Sequence, residues 1–331
     1  MNFNSLMKCL RSSEEQKIIR EEKCTGIMEV PRVFTFRDLA VVTQNFSQQS
    51  LIGEGGTAKV YKGYLETGQL AQRGTKEFDA EANLLTTLRH PNIVTLIGHC
   101  VEGEEMLLVY EFMELGSLVD HLHDFRPSTT VLSWRTRVEV AVGIAKGLAY
   151  LHDSINHHQV IHRDLKSSNI LLDANFIPKI SDFGISKLGP VGEDTHVSTE
   201  VKGTCGFLDP EYVLSGQLTV KADIYSFGII LWELIAGRKA IEPDQSSGKQ
   251  NILQWAQPYY NNNSEEHRKL VDPTHPRLKG KYSKKNMEKA ISLAAMCTDR
   301  NAPSRPPMNE VVDGLTEILV EAMTWGNRRC F

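Results

Sequence analysis

The spacing of apolar residues changes along the chain, from a two-residue alternation near the start to a helical period further on. Residues 51–63 alternate small and apolar side chains around a glycine-rich bend, and residues 90–113 contain two apolar runs on either side of Gly103. These patterns predict short β-strands. From Trp134 to His152, apolar residues recur every three or four positions, which predicts an amphipathic helix. We therefore expect a β-rich part followed by a helical part.

A helix is predicted ahead of the first strands. Thr35 followed by Asp38 matches a capping box, and Phe34 with Leu39 would form the hydrophobic staple. The helix is expected to run to about Phe46 and to brace the part that follows.

Two further helices are indicated by the apolar pattern. Thr75 is a candidate N-cap for a helix that runs to about Leu88, because apolar residues follow it at helical spacing. The most apolar run of the chain, residues 224–237, contains Glu233 and is too short to span a bilayer. This run predicts a helix buried in the core.

Composition indicates an ordinary globular protein. Of the 331 residues, 41% are apolar and 24% charged, which suits a chain of two lobes or domains. The net charge of -4 arises from mixed acidic and basic residues, so nothing indicates nucleic-acid binding. The six cysteines lack metal-site or clustered spacing, which favours a reduced intracellular protein. Residues 1–33 are expected to form a disordered tail, where an unmodified Cys9 is favoured over an acylated one.

Candidate chemistry is concentrated in residues 160–184, around two short apolar strands. Asp164 precedes Asn169 by five residues, and Asp182 follows thirteen residues later. One acid can accept a proton from a hydroxyl, while the other acid and the amide offer the oxygen ligands that Mg²⁺ prefers. Lys166 adds a positive charge beside the candidate base, where it could stabilise a transferring phosphoryl group.

The sequences HRDLK at residues 162–166, Asn169, and DFG at residues 182–184 together resemble the catalytic core of protein kinases. The resemblance covers about residues 34–318 and is nearest to plant receptor-like cytoplasmic kinases of the Ser/Thr type. It implies an α+β, two-lobed protein kinase fold, with a small β-rich N-lobe and a larger helical C-lobe. The implied divisions are a disordered tail (1–33), a bracing helix (34–50), a shortened N-lobe (51–113), a C-lobe (114–320) and a C-terminal tail (321–331).

The resemblance also implies a site for ATP and Mg²⁺. Asp164, Lys166 and Asn169 would be catalytic, and Asn169 with Asp182 would hold the metal. Glycines in the first hairpin would let backbone N–H groups approach the phosphates. The residues implied to contact the nucleotide are Gly53, Gly55, Gly56, Val60, Ala71, Arg73, Glu81, Glu111, Met113 and Leu171.

Residues 185–212, which we call the activation segment, resemble a kinase activation loop. Ser198 and Thr199 are alternative candidate phosphorylation sites there, because a phosphate on either one could pair with Arg163. The resemblance implies that Thr204 contacts Asp164 and Lys166.

Two structural contacts are implied in the C-lobe. Glu211 is expected to form a buried ion pair with Arg305, and loss of one partner would cost about 3 to 5 kcal/mol. Asp223 is expected to anchor the backbone of the catalytic loop from the buried helix.

The N-lobe departs from the family pattern, because no strand reads Val-Ala-Val-Lys. In the family, that lysine grips the phosphates and pairs with the helix glutamate, here Glu81. Between Val60 and Glu81 the chain is about ten residues shorter than the family requires. The best local match makes Arg73 the stand-in, although Arg and Lys are not interchangeable. Lys59 is expected to point away from the nucleotide, so the alternative is that nothing substitutes effectively.

These observations predict an intracellular serine/threonine protein kinase that transfers the γ-phosphoryl group of ATP to protein hydroxyls in signalling. The alternative is a pseudokinase scaffold that keeps the fold but has weak or no phosphotransfer, because the nucleotide-gripping lysine is absent. The expected partners are a protein substrate and an upstream receptor kinase, without nucleic acid. The expected location is the cytoplasm, with at most a peripheral contact at the plasma membrane.

Overall fold

The computed structural model describes residues 31–54, 59–63, 69–73, 77–123, 132–153, 158–242, 250–260, 278 and 281–327, and of residues 69–73 and 325–327 it describes the backbone. Of the tail predicted at residues 1–33, residues 1–30 lie outside this part of the chain, as do Gly55, Gly56 and Thr75. Arg32 and Val33 pair with Gly98 and His99 in a parallel strand, so the prediction of disorder is wrong for these two residues. The described residues form a sheet-containing part followed by a mainly helical part, so the predicted α+β architecture is confirmed.

A six-stranded sheet forms the core of the N-terminal part. Its strands are β1 (Arg32–Val33), β2 (Leu51–Glu54), β3 (Lys59–Gly63), β4 (Gln69–Arg73), β5 (Leu96–Glu102) and β6 (Glu105–Glu111). They are arranged in the order β1-β5-β6-β4-β3-β2, and only the pairing of β1 with β5 is parallel. The first residues of β5 alternate between buried and partly exposed, in agreement with the apolar alternation in the sequence.

Helix α1 (Phe36–Val42) packs on one side of this sheet, which we call the outer face. Its predicted capping box is present, because the N–H of Asp38 donates to Thr35 Oγ1 at 3.1 Å and the reciprocal bond is 3.2 Å. The helix ends at Val42, short of the predicted end at Phe46, because residues 44–46 have positive φ. The buried residues at this face are Leu39, Cys100, Leu107 and Val109.

Helix α2 (Phe78–Thr87) packs on the opposite side of the sheet, which we call the cleft face. Leu108 and Tyr110 of β6 belong to the same core cluster as Phe78 and Leu85 of this helix. Since successive residues of a strand point to opposite sides, Leu107 marks the outer face and Leu108 the cleft face.

The C-terminal part contains most of the helices. They are α3 (Leu118–His123), α4 (Trp134–Leu151), α5 (Pro210–Ser215), α6 (Val220–Ala236), α7 (Ile252–Tyr260), α8 (Lys284–Cys297) and α9 (Met308–Asn327). Every residue from 222 to 236 in α6 is buried, as its apolar sequence predicted. Helix α9 continues to Asn327, so residues 321–327, which were predicted to belong to a C-terminal tail, are helical. No helix in the described ranges is both long enough and apolar enough to cross a bilayer.

Short strands connect the helices of the C-terminal part. They are β7 (Gly116–Ser117), β8 (Val160–Ile161), β9 (Ile170–Leu172), β10 (Pro178–Ile180), β11 (Lys187–Leu188), β12 (Val197–Ser198) and β13 (Gln217–Leu218). Strands β9 and β10, the two short apolar strands predicted within residues 160–184, form an antiparallel pair.

The predicted ion pair between Glu211 and Arg305 is wrong. Arg305 is buried and forms a two-pronged pair with Asp209, with nitrogen–oxygen distances of 2.6 and 2.7 Å. Glu211 is exposed and accepts the N–H of Ala302 at 2.8 Å. Asp209 takes the buried position because it is the N-cap of α5 and lies just before the helix, close to the guanidinium.

Candidate active site

Asp164, Asn169 and Asp182 come from separate pieces of backbone that meet at one place. Asp164 follows β8, Asn169 ends a short 3₁₀ turn (Ser167–Asn169) before β9, and Asp182 follows β10. The Asn169 amide donates to the Asp164 carbonyl oxygen at 2.9 Å and to Asp182 Oδ2 at 3.2 Å. Because β9 and β10 are antiparallel, the start of β9 lies beside the end of β10, which brings Asn169 and Asp182 together.

The carboxylate of Asp164 lies between two donors. Lys166 Nζ is 2.8 Å from Oδ2, and the hydroxyl of Thr204 donates to Oδ1 at 2.6 Å. Lys166 Nζ also donates to Thr204 Oγ1 at 3.0 Å, which closes the cluster. The Asp164 side chain keeps 12% of its surface exposed, so a substrate hydroxyl can reach it. The carboxylate can accept a proton from a hydroxyl, and the cation beside it can offset negative charge on a group that is transferred.

The loop that carries Asp164 is anchored by Asp223 of α6. The buried Asp223 carboxylate accepts the N–H of His162 at 2.8 Å and the N–H of Arg163 at 2.9 Å, so the predicted anchoring is confirmed. These charge-assisted bonds hold Arg163 at a φ of +72°, where residues other than glycine are uncommon. The ring of His152 donates from Nε2 to the same carboxylate at 3.0 Å.

The backbone on both sides of Asp182 is fixed as well. Asp182 has a φ of +68°, and the preceding Ser181 donates its N–H to the carbonyl oxygen of Asn169 at 2.9 Å. The ring of His162 donates to the carbonyl oxygen of Ser181 at 3.0 Å. Phe183 is fully buried and packs edge-on against that ring. These contacts direct the Asp182 carboxylate toward Asn169.

The donor set at Asn169 and Asp182 fits a Mg²⁺ ion. The Asn169 amide nitrogen donates a hydrogen bond to Asp182 Oδ2. The amide oxygen of Asn169 and the other carboxylate oxygen, Asp182 Oδ1, therefore remain available to a cation. Mg²⁺ prefers oxygen ligands and keeps water or phosphate oxygens as well, so two protein ligands suffice.

Glu81 of α2 is the N-lobe residue that reaches the site. Its side chain is buried, and Oε1 accepts the N–H of Phe183 at 3.3 Å. Burial raises the pKa of Glu81 to about 7, against a smaller opposing effect of Tyr110, and the negative charges of Asp182 and Glu77 raise it further. No lysine or arginine side chain that the structure describes forms an ion pair with Glu81.

The backbone register of β4 contradicts the assignment of Arg73 as the lysine stand-in. Arg73 pairs with Leu107, which marks the outer face, whereas Gln72 pairs with Leu108 on the cleft face. Gln72 also pairs with Val60 of β3. Directly paired residues share a face, so position 72 is in the cleft-face row and position 73 in the outer-face row.

The same register applies to Ala71, which was predicted to contact the nucleotide. Ala71 pairs with Tyr61 and Val109, and Val109 belongs to the outer-face cluster. Ala71 therefore also falls in the outer-face row. The expected strand therefore forms, but its register differs by one residue from the expected register.

The remaining candidate nucleotide residues lie on β2 and β3, at and just after the end of β6, and on β9. Gly53 of β2 pairs with Val60, and Leu171 lies partly buried in β9. The N–H of Glu111 is already bonded to the carbonyl oxygen of Thr95 at 3.1 Å, so an adenine base would need the Glu111 carbonyl oxygen instead. Met113 is buried and lies two residues after the end of β6.

Arg163 connects the catalytic loop with the activation segment. Its guanidinium donates to the Tyr212 hydroxyl from Nε at 3.1 Å and from Nη2 at 2.9 Å, and also to the carbonyl oxygen of Glu200. Nη2 lies 3.3 Å from the hydroxyl of Thr199, while Ser198 is exposed in β12. Of the two candidate phosphorylation sites, Thr199 is therefore the one already in contact with the guanidinium.

Sequence reasoning missed three residues that support the site: Tyr212, Asp209 and His152. The Tyr212 hydroxyl accepts from Arg163 and donates to the Glu200 carbonyl oxygen at 2.9 Å, yet no local pattern distinguishes it. Asp209 had a usable signal, because an acidic residue directly before a proline is typical of a helix N-cap.

Comparison with known proteins identifies the family. The protein tyrosine and serine/threonine kinase family matches residues 46–315, which is most of the chain. The chain belongs to the protein kinase family. The predicted resemblance is thereby confirmed, and so is the two-lobed kinase fold.

Several relatives of this kinase come from Arabidopsis thaliana. The probable serine/threonine-protein kinase PBL7 is 48% identical, over 92% of this chain and 82% of the relative. The serine/threonine-protein kinase PBL27 is 50% identical over 93% of this chain, and PBS1 is 48% identical over 87%. The kinase spans 61% of the length of PBL27 and 64% of that of PBS1. The names of these relatives give no support to the pseudokinase alternative.

Proposed function

We propose that this kinase transfers the γ-phosphoryl group of ATP to Ser or Thr hydroxyls of protein substrates. The main support is the convergence of Asp164, Lys166 and Thr204 beside the oxygen atoms of Asn169 and Asp182. This arrangement provides a proton acceptor, a fixed positive charge and oxygen ligands for Mg²⁺ within one cluster. The names of the relatives support Ser and Thr as acceptors.

In the proposed reaction, Asp164 accepts the proton of the substrate hydroxyl while the hydroxyl oxygen forms a bond to the γ-phosphorus. The bond between the γ-phosphorus and the bridging oxygen breaks, and ADP leaves with that electron pair. Lys166 lies beside Asp164, where its ammonium offsets negative charge on the transferring group. Asn169 and Asp182 would hold Mg²⁺, which neutralises phosphate charge when bound.

Regulation through the activation segment forms part of the proposal. A phosphate on Thr199 would carry about two negative charges and would face the guanidinium of Arg163. We propose an upstream receptor kinase as its source and the cytoplasm as the location, with at most peripheral membrane contact. Such a phosphate would strengthen the link between the activation segment and the loop that carries Asp164.

The direct test is incubation of the purified protein with labelled ATP, Mg²⁺ and a general protein substrate. Asp164→Asn should lower the rate by about 10²- to 10⁴-fold, because it removes the proton acceptor without a change in size. Asp313→Asn, at an exposed position of α9, is the matched control and should keep the full rate. Label should appear on phosphoserine and phosphothreonine.

Two results would contradict the proposal. One is incorporation of label that Asp164→Asn leaves unchanged, which would place the chemistry elsewhere. The other is thermal stabilisation by ATP and Mg²⁺ without any transfer of label, which would mean that the kinase binds nucleotide without catalysis.

A further inference from the structure

A cavity of about 630 Å³ lies in the helical lobe, where α4, the start of α6 and the start of α9 meet. Its volume is within the range of sites for small organic ligands. None of its lining residues belongs to the cluster around Asp164. The polar lining that matters for recognition consists of His90, Lys146, His152, Asp153 and Lys221.

Positive charge predominates in this cavity. Lys146 is exposed at its edge, and Lys221 uses one of its three N–H groups to donate to the carbonyl oxygen of Arg305. Against these two ammonium groups stands one lining carboxylate, Asp153. Helices α6 and α9 also begin at the wall, with Val220 and Met308, and helix N-termini attract anions.

His152 connects the wall of the cavity with Asp223. Its side chain is only 8% exposed and lines the cavity, and Nδ1 has no hydrogen-bond partner among the described residues. Because Nε2 donates to the Asp223 carboxylate, a ligand in the cavity would lie beside a residue that contacts the anchor of the catalytic loop.

The rest of the wall is apolar, with Ala149, Ile224 and Val312 among its residues. A bare inorganic ion would leave this surface uncovered, whereas an organic body would cover it. We propose that the cavity binds a small organic anion, whose apolar body contacts Ile224 and Val312 and whose oxyanion head, a phosphate or a carboxylate, is held by Lys146 and Lys221 beside the N-termini of α6 and α9.

Such a ligand would be linked to the catalytic loop through a short chain of contacts. His152 donates to Asp223, and Asp223 accepts the N–H groups of His162 and Arg163. His90 lies at the end of the segment that follows α2, and its ring stacks on Tyr150 at 5.1 Å. An occupied cavity would therefore contact both the anchor of the catalytic loop and the connection to the N-lobe.

The experiment uses isothermal titration calorimetry on the full chain with phenyl phosphate, benzoate and benzyl alcohol. Phenyl phosphate and benzoate separate a phosphate head from a carboxylate head, and benzyl alcohol is the neutral control. One of the anions should bind at a single site, at least tenfold more tightly than the alcohol. Lys146→Met and Lys221→Met should each weaken that binding by about tenfold, as expected for loss of one charge-assisted contact.

Lys285→Met, at an exposed position of α8, removes one positive charge away from the cavity and should leave the affinity unchanged. The bound anion should also slow hydrogen exchange at the N–H groups of His162 and Arg163. The proposal is overturned if neither anion saturates the protein by about 10 mM, or if the alcohol binds as tightly. It is also overturned if Lys285→Met weakens binding as much as Lys146→Met, since binding would then follow net charge.

Discussion

The C-lobe side and the N-lobe side of the active site differ in how their charged groups are partnered. On the C-lobe side, Asp164 lies within hydrogen-bond distance of Lys166 and Thr204, and Asp223 holds the backbone beneath them. On the N-lobe side, Glu81 is buried beside like charges and forms no ion pair with a described side chain. The proposed proton acceptor and metal ligands are therefore held by C-lobe contacts, whereas the N-lobe side contributes a buried acid without a described cation partner.

The largest effect on stability is expected on the C-lobe side, where Arg305→Met would leave the carboxylate of Asp209 buried without a cation. The free energy of unfolding should fall by about 3 to 5 kcal/mol, measured by urea denaturation. Glu211→Gln is the control and should cost about 1 kcal/mol or less, because Glu211 is exposed. If the two substitutions cost the same, the buried pair does not hold this lobe together.

The next effect concerns the pH dependence that Glu81 gives the N-lobe. The pKa of Glu81 is about 7 in the folded protein against 4.5 for the ordinary side chain, so the folded protein binds this proton more tightly. The stabilisation is complete below the unfolded pKa and is lost as the pH rises through about 7. It amounts to about 3 kcal/mol by the usual conversion of a pKa shift.

Glu81→Gln should remove that part of the pH dependence. Urea denaturation between about pH 5 and pH 8 should show a shallower loss of stability in the variant than in the unchanged protein. Glu288→Gln, on the exposed side of α8, should keep the original slope. Equal slopes for Glu81→Gln and the unchanged protein would mean that the pKa of Glu81 is not raised in the folded protein. The contrast between the two lobes would then disappear.

A smaller but more specific effect should come from restoring a lysine on the cleft face. Gln72→Lys should raise the rate of phosphotransfer by about 10- to 100-fold, because one charge-assisted contact contributes roughly 1.5 to 3 kcal/mol. Arg73→Lys should leave the rate unchanged, because position 73 is in the outer-face row. A gain with Arg73→Lys and none with Gln72→Lys would mean that the register of β4 shifts by one residue when nucleotide binds.

The smallest effect is expected in the activation segment. Thr199→Val removes one hydrogen bond to Arg163, and the rate of the unphosphorylated protein should fall by a few-fold, which corresponds to about 1 kcal/mol. Ser198→Ala should have no effect, since Ser198 is exposed. The comparison is made by steady-state kinetics, and an equal loss in both variants would count against a special role of Thr199.

The sequence was most informative where function requires particular residue types at short spacing. Asp164, Asn169 and Asp182 are separated by one hairpin, so their convergence follows from local pairing of β9 and β10. The capping box at Thr35 is likewise a local pattern.

Contacts between distant segments were harder to predict. The choice of Asp209 over Glu211 for Arg305 depends on how α5 packs on a segment about ninety residues later, which no local pattern encodes. The side of the sheet to which position 73 belongs depends on the strand register, because a shift of one residue moves every position of the strand to the opposite side. The best local match to Val-Ala-Val-Lys placed Arg73 at the lysine position by residue type. The pairing of β4 with β6 instead determines which positions of β4 belong to the cleft-face row.

The packing of α1 on the outer face has a practical consequence for where the folded unit begins. The family match starts at residue 46, yet β1 and α1 lie upstream of it: β1 pairs with β5, and Phe34 and α1 pack against Cys100, Leu107 and Val109. A shortened version that started at the family boundary would expose this apolar patch to water and would tend to aggregate during expression. Recombinant versions of this kinase domain should therefore start no later than Pro31.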